Sequence, residues 1–140
     1  MRMPSDATTS SLSLVERAIL AVRIWRAYLL IRRKVRRVEL PLLIEHLNRI
    51  SRPARRRHPA PRLSRAVDRS LRIGSHRPTC LVNSLVLFRL LREQSEHPEL
   101  VIGLPERPTS KDAHAWVELD GREVGPPPGR AGHSQLARFA

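Results

Sequence analysis

The stretch AHAWVELDGREVG, residues 113 to 125, changes the period of the chain and decides its fold class. From Ala113 to Leu119, small and apolar residues (Ala, Ala, Val, Leu) alternate with His, Trp and Glu, the pattern of a strand with two unlike faces. Asp120-Gly121 is a two-residue hairpin signal, because both central positions of a type I′ turn need positive φ. Arg122 to Gly125 returns as the second arm, and Pro126 to Pro128 stop it, since proline cannot donate to a sheet. Upstream, ELVIGL (residues 99 to 104) reads as a further strand, with a polar loop over residues 105 to 112. The tail, residues 129 to 140, has one short apolar patch, Leu136 and Phe139, and is expected to be poorly ordered.

Before residue 99 the spacing is helical. Ser10 to Arg37 reads as one long helix, with Ser10, Ser11 and Ser13 as N-cap candidates and no glycine or proline inside. Glu16, Arg23, Arg26, Arg33 and Lys34 share one arc, and apolar residues cover most of the remainder, so the helix is expected to pack on more than one side. The alternative is a helix lying flat on an anionic membrane, assisted by RRKVRR, residues 32 to 37. Pro41 opens a second helix to about Ile50. SRPARRRHPAPR, residues 51 to 62, reads as a basic solvated connector. Leu63 to Ile73 has helical spacing, with Gly74 as its C-cap. CLVNSLVLFRLLREQ, residues 80 to 94, is the clearest helix, with Thr79 as its N-cap. Helices first and an antiparallel sheet after them make an α+β fold.

The 140 residues are expected to form a single domain: a helical region with its connector over residues 10–62, a core over 63–128 and a tail over 129–140. Twenty-six basic residues face 13 acidic ones, a net charge of +13, and only Lys34 and Lys111 among the bases are lysine. Codon bias accounts for arginine over lysine but not for the excess of bases, which attracts an acidic partner over long range. No secretory signal is evident. Glu16, Arg23 and other charges interrupt the most apolar segment, against a membrane span. One cysteine, Cys80, excludes an intrachain disulfide and suits a reducing compartment, the cytoplasm. Contact with a membrane surface through the first helix stands as an addition to that location.

Cys80 falls at the first turn of its helix, where partial positive charge and free N–H groups favour thiolate and can bind an oxyanion. His114 lies on a strand, where it shares a face with Trp116 and Glu118. If that face packs on the Cys80 helix, His114 meets the thiol and Trp116 walls the site from water. The plainer alternative is a small buried cysteine and a structural histidine. Spacing alone leaves both open.

Pro78-Thr79-Cys80-Leu81 heading an apolar helix, then LVIGL, then AHAWVELDG resembles the transglutaminase-like cysteine proteases that act as leader peptidases in lasso-peptide biosynthesis, over residues 65 to 125. The resemblance implies a transglutaminase- or papain-like core, with Cys80 as nucleophile and His114 as general base and acid. It implies cleavage of a leader from a ribosomally made precursor peptide. It also implies two partners: a separate leader-recognition protein and an ATP-dependent lasso cyclase. The first 40 residues read as a helix rather than a strand-rich recognition module, which suits the stand-alone form. No metal, no organic cofactor and no specific nucleic acid is implied.

The sequence departs from this family at the third catalytic position. The family's orienting aspartate stands about where Pro126 occurs here. Asp120 is about 20 Å from His114 along the strand at about 3.3 Å per residue, and Glu123 faces Glu118 across the hairpin, so neither reaches the imidazole. Asp112, about 7 Å away on the same face, is the nearest acid and the tentative orienting residue. A proline carbonyl is the other acceptor, leaving a Cys–His dyad with slower chemistry. Two rival functions follow: a catalytically idle scaffold of the same fold, and a basic nucleic-acid binder, the latter without aromatic stacking platforms or a known motif.

Overall fold

The computed structural model describes residues 13–50, 52–73, 78–106, 113–125 and 133–140. Gly74, His76, Arg77, Asp112 and Pro126 to Pro128 lie outside the described residues. The chain runs through α1 (Leu14–Lys34), α2 (Leu40–Asn48), α3 (Ala60–Leu71), α4 (Cys80–Glu93), β1 (Glu99–Pro105), β2 (His114–Leu119), β3 (Arg122–Val124) and β4 (His133–Phe139). Helices precede a four-stranded antiparallel sheet of order β3-β2-β1-β4, the α+β arrangement expected.

Local chemistry sets the helix ends. At α1, Ser13 Oγ accepts from the Glu16 amide at 3.2 Å and the Glu16 carboxylate accepts from the Ser13 amide at 3.3 Å, a reciprocal capping box. Arg89 Nη1 donates to the Leu47 and Arg49 carbonyls, each at 3.0 Å, and closes the end of α2. The third helix begins at Ala60, inside the stretch expected to be connector. Pro61 does not prevent this, because a first-turn residue has no intrahelical use for its N–H. Helix α4 ends where Ser95 takes φ +63°, which lets the Glu96 amide reach back to the Leu91 carbonyl at 3.1 Å and turns the chain into β1.

The core gathers around α4. Leu85, Phe88, Leu90 and Leu91 are fully buried between Leu20, Ile24 and Ile31 of α1, Leu43 and Leu47 of α2, Leu63 and Leu71 of α3, and the sheet residues Leu100, Ala115 and Val117. The first helix corrects one expectation. It buries a single stripe, Leu20, Ile24, Ala27, Tyr28 and Ile31, and leaves Val15, Ile19, Val22, Leu29 and Leu30 exposed. It packs on α3 and α4 along one side only. Among the described residues no helix is long and apolar enough to cross a membrane.

The tail corrects another. Residues 133–139 form β4, an outer strand on β1, with a register shift between Ile102 and Gly103. Its alternation is blurred because the shift moves successive residues out of step with their partners.

The basic connector is pinned to the end of α4. Gln94, 2% exposed, donates from Nε2 to the His58 carbonyl and accepts the His58 amide on Oε1, both at 3.0 Å. The Ala54 amide donates to the Glu93 carbonyl at 2.8 Å. His58 is itself buried, and burial, followed by the charges of Arg23, Arg62 and Arg56, lowers its pKa below the ordinary 6.5. The unfolded chain therefore binds a proton here before the folded chain does. The stability His58 supports is complete above about pH 6.5 and is lost as pH falls from there toward the lowered value of the folded imidazole. Melting temperatures measured from pH 8 to 5 should fall below about pH 6.5 more steeply for the native protein than for His58→Asn. Parallel curves would remove His58 as the cause.

Candidate active site

Thr79 sets the start of α4. Its Oγ1 accepts the Val82 amide at 3.3 Å and its carbonyl accepts the Asn83 amide at 3.0 Å. Cys80 is the first helical residue and is exposed. The amides of Cys80 and Leu81 have no intrahelical acceptor at this position, and the dipole of a 14-residue helix begins here.

The helix is held in register on β2 through one face. Ser84 Oγ donates to the Ala115 carbonyl at 3.1 Å, and Cys80 Sγ lies 4.0 Å from the Ala113 carbonyl. Four helical residues rise about 6.0 Å and two strand residues about 6.6 Å, so Cys80 and Ser84 match alternate carbonyls of the strand. This alignment brings the cysteine beside the start of β2, where His114 is the first residue.

Cys80 and His114 line one cavity of about 120 Å³. Helix α3 contributes Ser64, Val67 and Asp68 to its wall, α4 contributes Asn83, Ser84 and Leu87, and the hairpin contributes Val124 and Gly125. Among the described residues no hydrogen bond joins the thiol to the imidazole. Asn83 Oδ1 is buried with no partner. Gly125, at φ +129°, holds a conformation that favours glycine and brings the hairpin arm beside Ser64.

The expected face of β2 is corrected. His114, Trp116 and Glu118 do share a face, but Ala115 and Val117, on the opposite one, pack into the core with α4. His114, from the strand's first position, and Trp116 both line the cavity, and Trp116 with Glu118 also builds a buried layer over β1 and β4. The indole covers Gly103, where an added Cβ would stand 2.7 Å from Trp116 Cη2. Trp116 Nε1 donates to Glu118 Oε2 at 2.8 Å. Glu118, 2% exposed, also accepts from Arg138 Nη2 at 3.3 Å, and Arg138 pairs with Glu99. Hydrogen bonding to Glu99, then the charge of Glu118, raises the pKa of Arg138.

Two residues that sequence reasoning did not single out adjoin the site. His133, on β4, has its ring 4.6 Å from that of His114, edge to face, and 6.0 Å from Trp116. Only a strand assignment for the tail could have found it. Asp68 lines the cavity from α3, held by Arg72 at 3.1 and 3.4 Å. Its signal was its i, i+4 spacing from Ser64, beside the buried stripe Leu63, Val67, Leu71. Asp112 and Pro126 lie outside the described residues. Asp120 sits at the far end of β2, in the turn with Gly121, at φ +52° and +76°. Glu123 pairs with Glu118 as the hairpin register predicts. No group of three or more His, Cys, Asp or Glu among the described residues could hold a metal ion.

The arrangement places a thiol at a helix N-terminus, an imidazole in the same cavity and a walled surface beside them. Its wall depends on the close approach of Trp116 to Gly103. Gly103→Ala should destabilise the fold by about 1–3 kcal/mol in chemical denaturation. In a Trp116→Leu background the same change should cost much less; equal costs in both backgrounds would show that the indole is not what the methyl group meets.

The transglutaminase-like superfamily model matches residues 25–138, from the second half of α1 through β4. Neither a curated protein nor a solved structure matches the chain. With the match spanning every described helix and strand except the first turns of α1, the chain belongs to the transglutaminase-like superfamily.

Proposed function

We propose that this protein is a cysteine peptidase that removes the leader from a ribosomally made lasso-peptide precursor. In this reading it works with a separate leader-recognition protein and an ATP-dependent cyclase. The observation that carries the peptidase reading is the shared cavity of Cys80 and His114 at the N-terminus of α4. The lasso-peptide assignment rests on the Cys80-Leu81 helix head and the AHAWVELDG run.

In the proposed reaction His114 takes the Cys80 proton as sulfur attacks the scissile carbonyl. The oxyanion is held by amides of the first turn of α4. Collapse of the tetrahedral intermediate breaks the C–N bond, and His114 gives its proton to the departing amine. Water, deprotonated by His114, then attacks the thioester, releasing the leader carboxylate and restoring the thiol. Asn83 Oδ1, buried in the wall without a donor, suits an N–H of the bound peptide. Asp112 remains the proposed orienting acid on strand periodicity, and Asp68 joins it as a second candidate because it lines the cavity.

The test is cleavage of the precursor in the presence of its recognition protein. Cys80→Ala should abolish cleavage, and His114→Ala should lower kcat by roughly 10² to 10⁴, with the fold and partner binding retained. Full activity in Cys80→Ala ends the peptidase reading. Alkylation at neutral pH separates it from an idle scaffold, since an activated Cys80 thiolate reacts faster than a free thiol and slows in His114→Ala. A pull-down in which neither the precursor nor the recognition protein is retained would sink the partner assignment alone.

A further inference from the structure

A groove of about 920 Å³ runs between α1 and the connector, at the end of α4 remote from Cys80. One wall is the α1 stripe Ile19, Arg23, Arg26, Leu30 and Arg33, whose spacing of four, three, four and three residues keeps all five on one side of the helix. The other wall is the connector from Arg52 to Arg56, and Arg89 and Glu93 of α4 close the floor.

The lining holds seven arginines and two glutamates. Both glutamates are already engaged: Glu16 pairs with Arg56, and Glu93 with Arg23 at 2.8 Å and Arg89 at 3.4 Å. Arg26, Arg33, Arg52 and Arg55 make no ion pair among the described residues. Between them stand exposed apolar side chains, Ile19 at 56%, Leu29 at 48% and Leu30 at 41%. The same positive field contributes to the lowered pKa of His58 at the groove's edge.

We infer that this groove docks an acidic amphipathic peptide segment, its carboxylates on Arg26, Arg33, Arg52 and Arg55 and its apolar residues on Ile19, Leu29 and Leu30. The charge selects an anion, and the apolar side chains between the arginines select one that also carries hydrocarbon at helical spacing. A lipid surface fits less well, because walls on both sides keep a flat sheet of headgroups from the floor. A nucleic acid would leave the leucines and isoleucine without partners, and among the described lining residues the one aromatic ring, the His58 imidazole, is buried away from a stacking base. From Ile19 to Arg33 the wall is about 21 Å long, the length of about four turns of bound helix. The pinned connector makes the groove largely preformed, since Gln94 and Glu93 fix its second wall before any segment arrives. This inference is independent of the peptidase reading, because none of the groove residues lines the Cys80 cavity.

The test is selection from a displayed library of random segments of about 16 residues, about 24 Å if helical, on the full chain. The enriched segments are then measured by fluorescence anisotropy. The expected winners combine Asp or Glu with Leu, Ile or Phe at three- and four-residue spacing and weaken as salt rises. Arg26→Glu/Arg33→Glu on one wall and Arg52→Glu/Arg55→Glu on the other should each weaken them about tenfold or more, with Cys80 alkylation rates unchanged as a check on the fold. Enriched segments without acidic residues, or acidic ones that bind both variants as well as the native chain, overturn the inference. It is also overturned if vesicles containing phosphatidylserine or a single-stranded oligonucleotide bind through these arginines while no peptide is enriched.

Discussion

Five consecutive residues of α4, Ser84 to Phe88, are buried, and no helix can bury five residues in a row on one face. Such a helix needs neighbours on all sides. Helices α1, α2 and α3 supply some, and the sheet supplies the rest through Leu100, Ala115 and Val117. Everything else in the molecule is arranged to meet this requirement. Even two buried polar residues serve it: Ser84, within the helix, ties it to β2, and Gln94, at its C-cap, ties it to the connector. Cys80, at the head of such a helix, is fixed in position by the whole core rather than by a loop.

The sheet has a second requirement, on the face turned away from α4. Glu118 is a carboxylate with almost no exposure, and an unpaired charge there would be costly. The indole N–H of Trp116 and the guanidinium of Arg138 meet it, and Arg138 comes from the outermost strand. The charge thus joins β2 to β4 across β1. Gly103, which has no side chain, leaves space over β1 for the indole. His133 is drawn into the same layer and placed against His114, so the surroundings of the histidine are set partly by residues at the end of the chain.

Much of this was legible in the sequence, and the elements that were legible share a cause. Thr79 with Cys80, the Asp120-Gly121 turn and the strand ELVIGL are each fixed by interactions a few residues apart, so local spacing reveals them. The start of α3 was hidden because Pro59 and Pro61 suggest a loop, although proline is at home in a first turn. Strand β4 was hidden because a register shift breaks its alternation, and its partners lie 28 to 39 residues upstream. The pairing of the site was half legible. Helix start and strand start pointed to Cys80 and His114, but the face of β2 that meets α4 depends on tertiary packing, and periodicity cannot choose between two faces that both become buried. Asp68 and His133 come from elements outside the motif, so no spacing along the strand could reach them.

Helix α4 also sets a distance. Its head carries the cavity and its last turns form the floor of the arginine-lined groove, so the two lie at opposite ends of one rigid rod of 14 residues, about 20 Å long. An extended chain covers at most about 3.3–3.6 Å per residue, so a polypeptide reaching both places would need at least about six residues between them. The helix therefore acts as a ruler, and its length, rather than any side chain in the cavity, sets the minimum separation between the groove and the cavity.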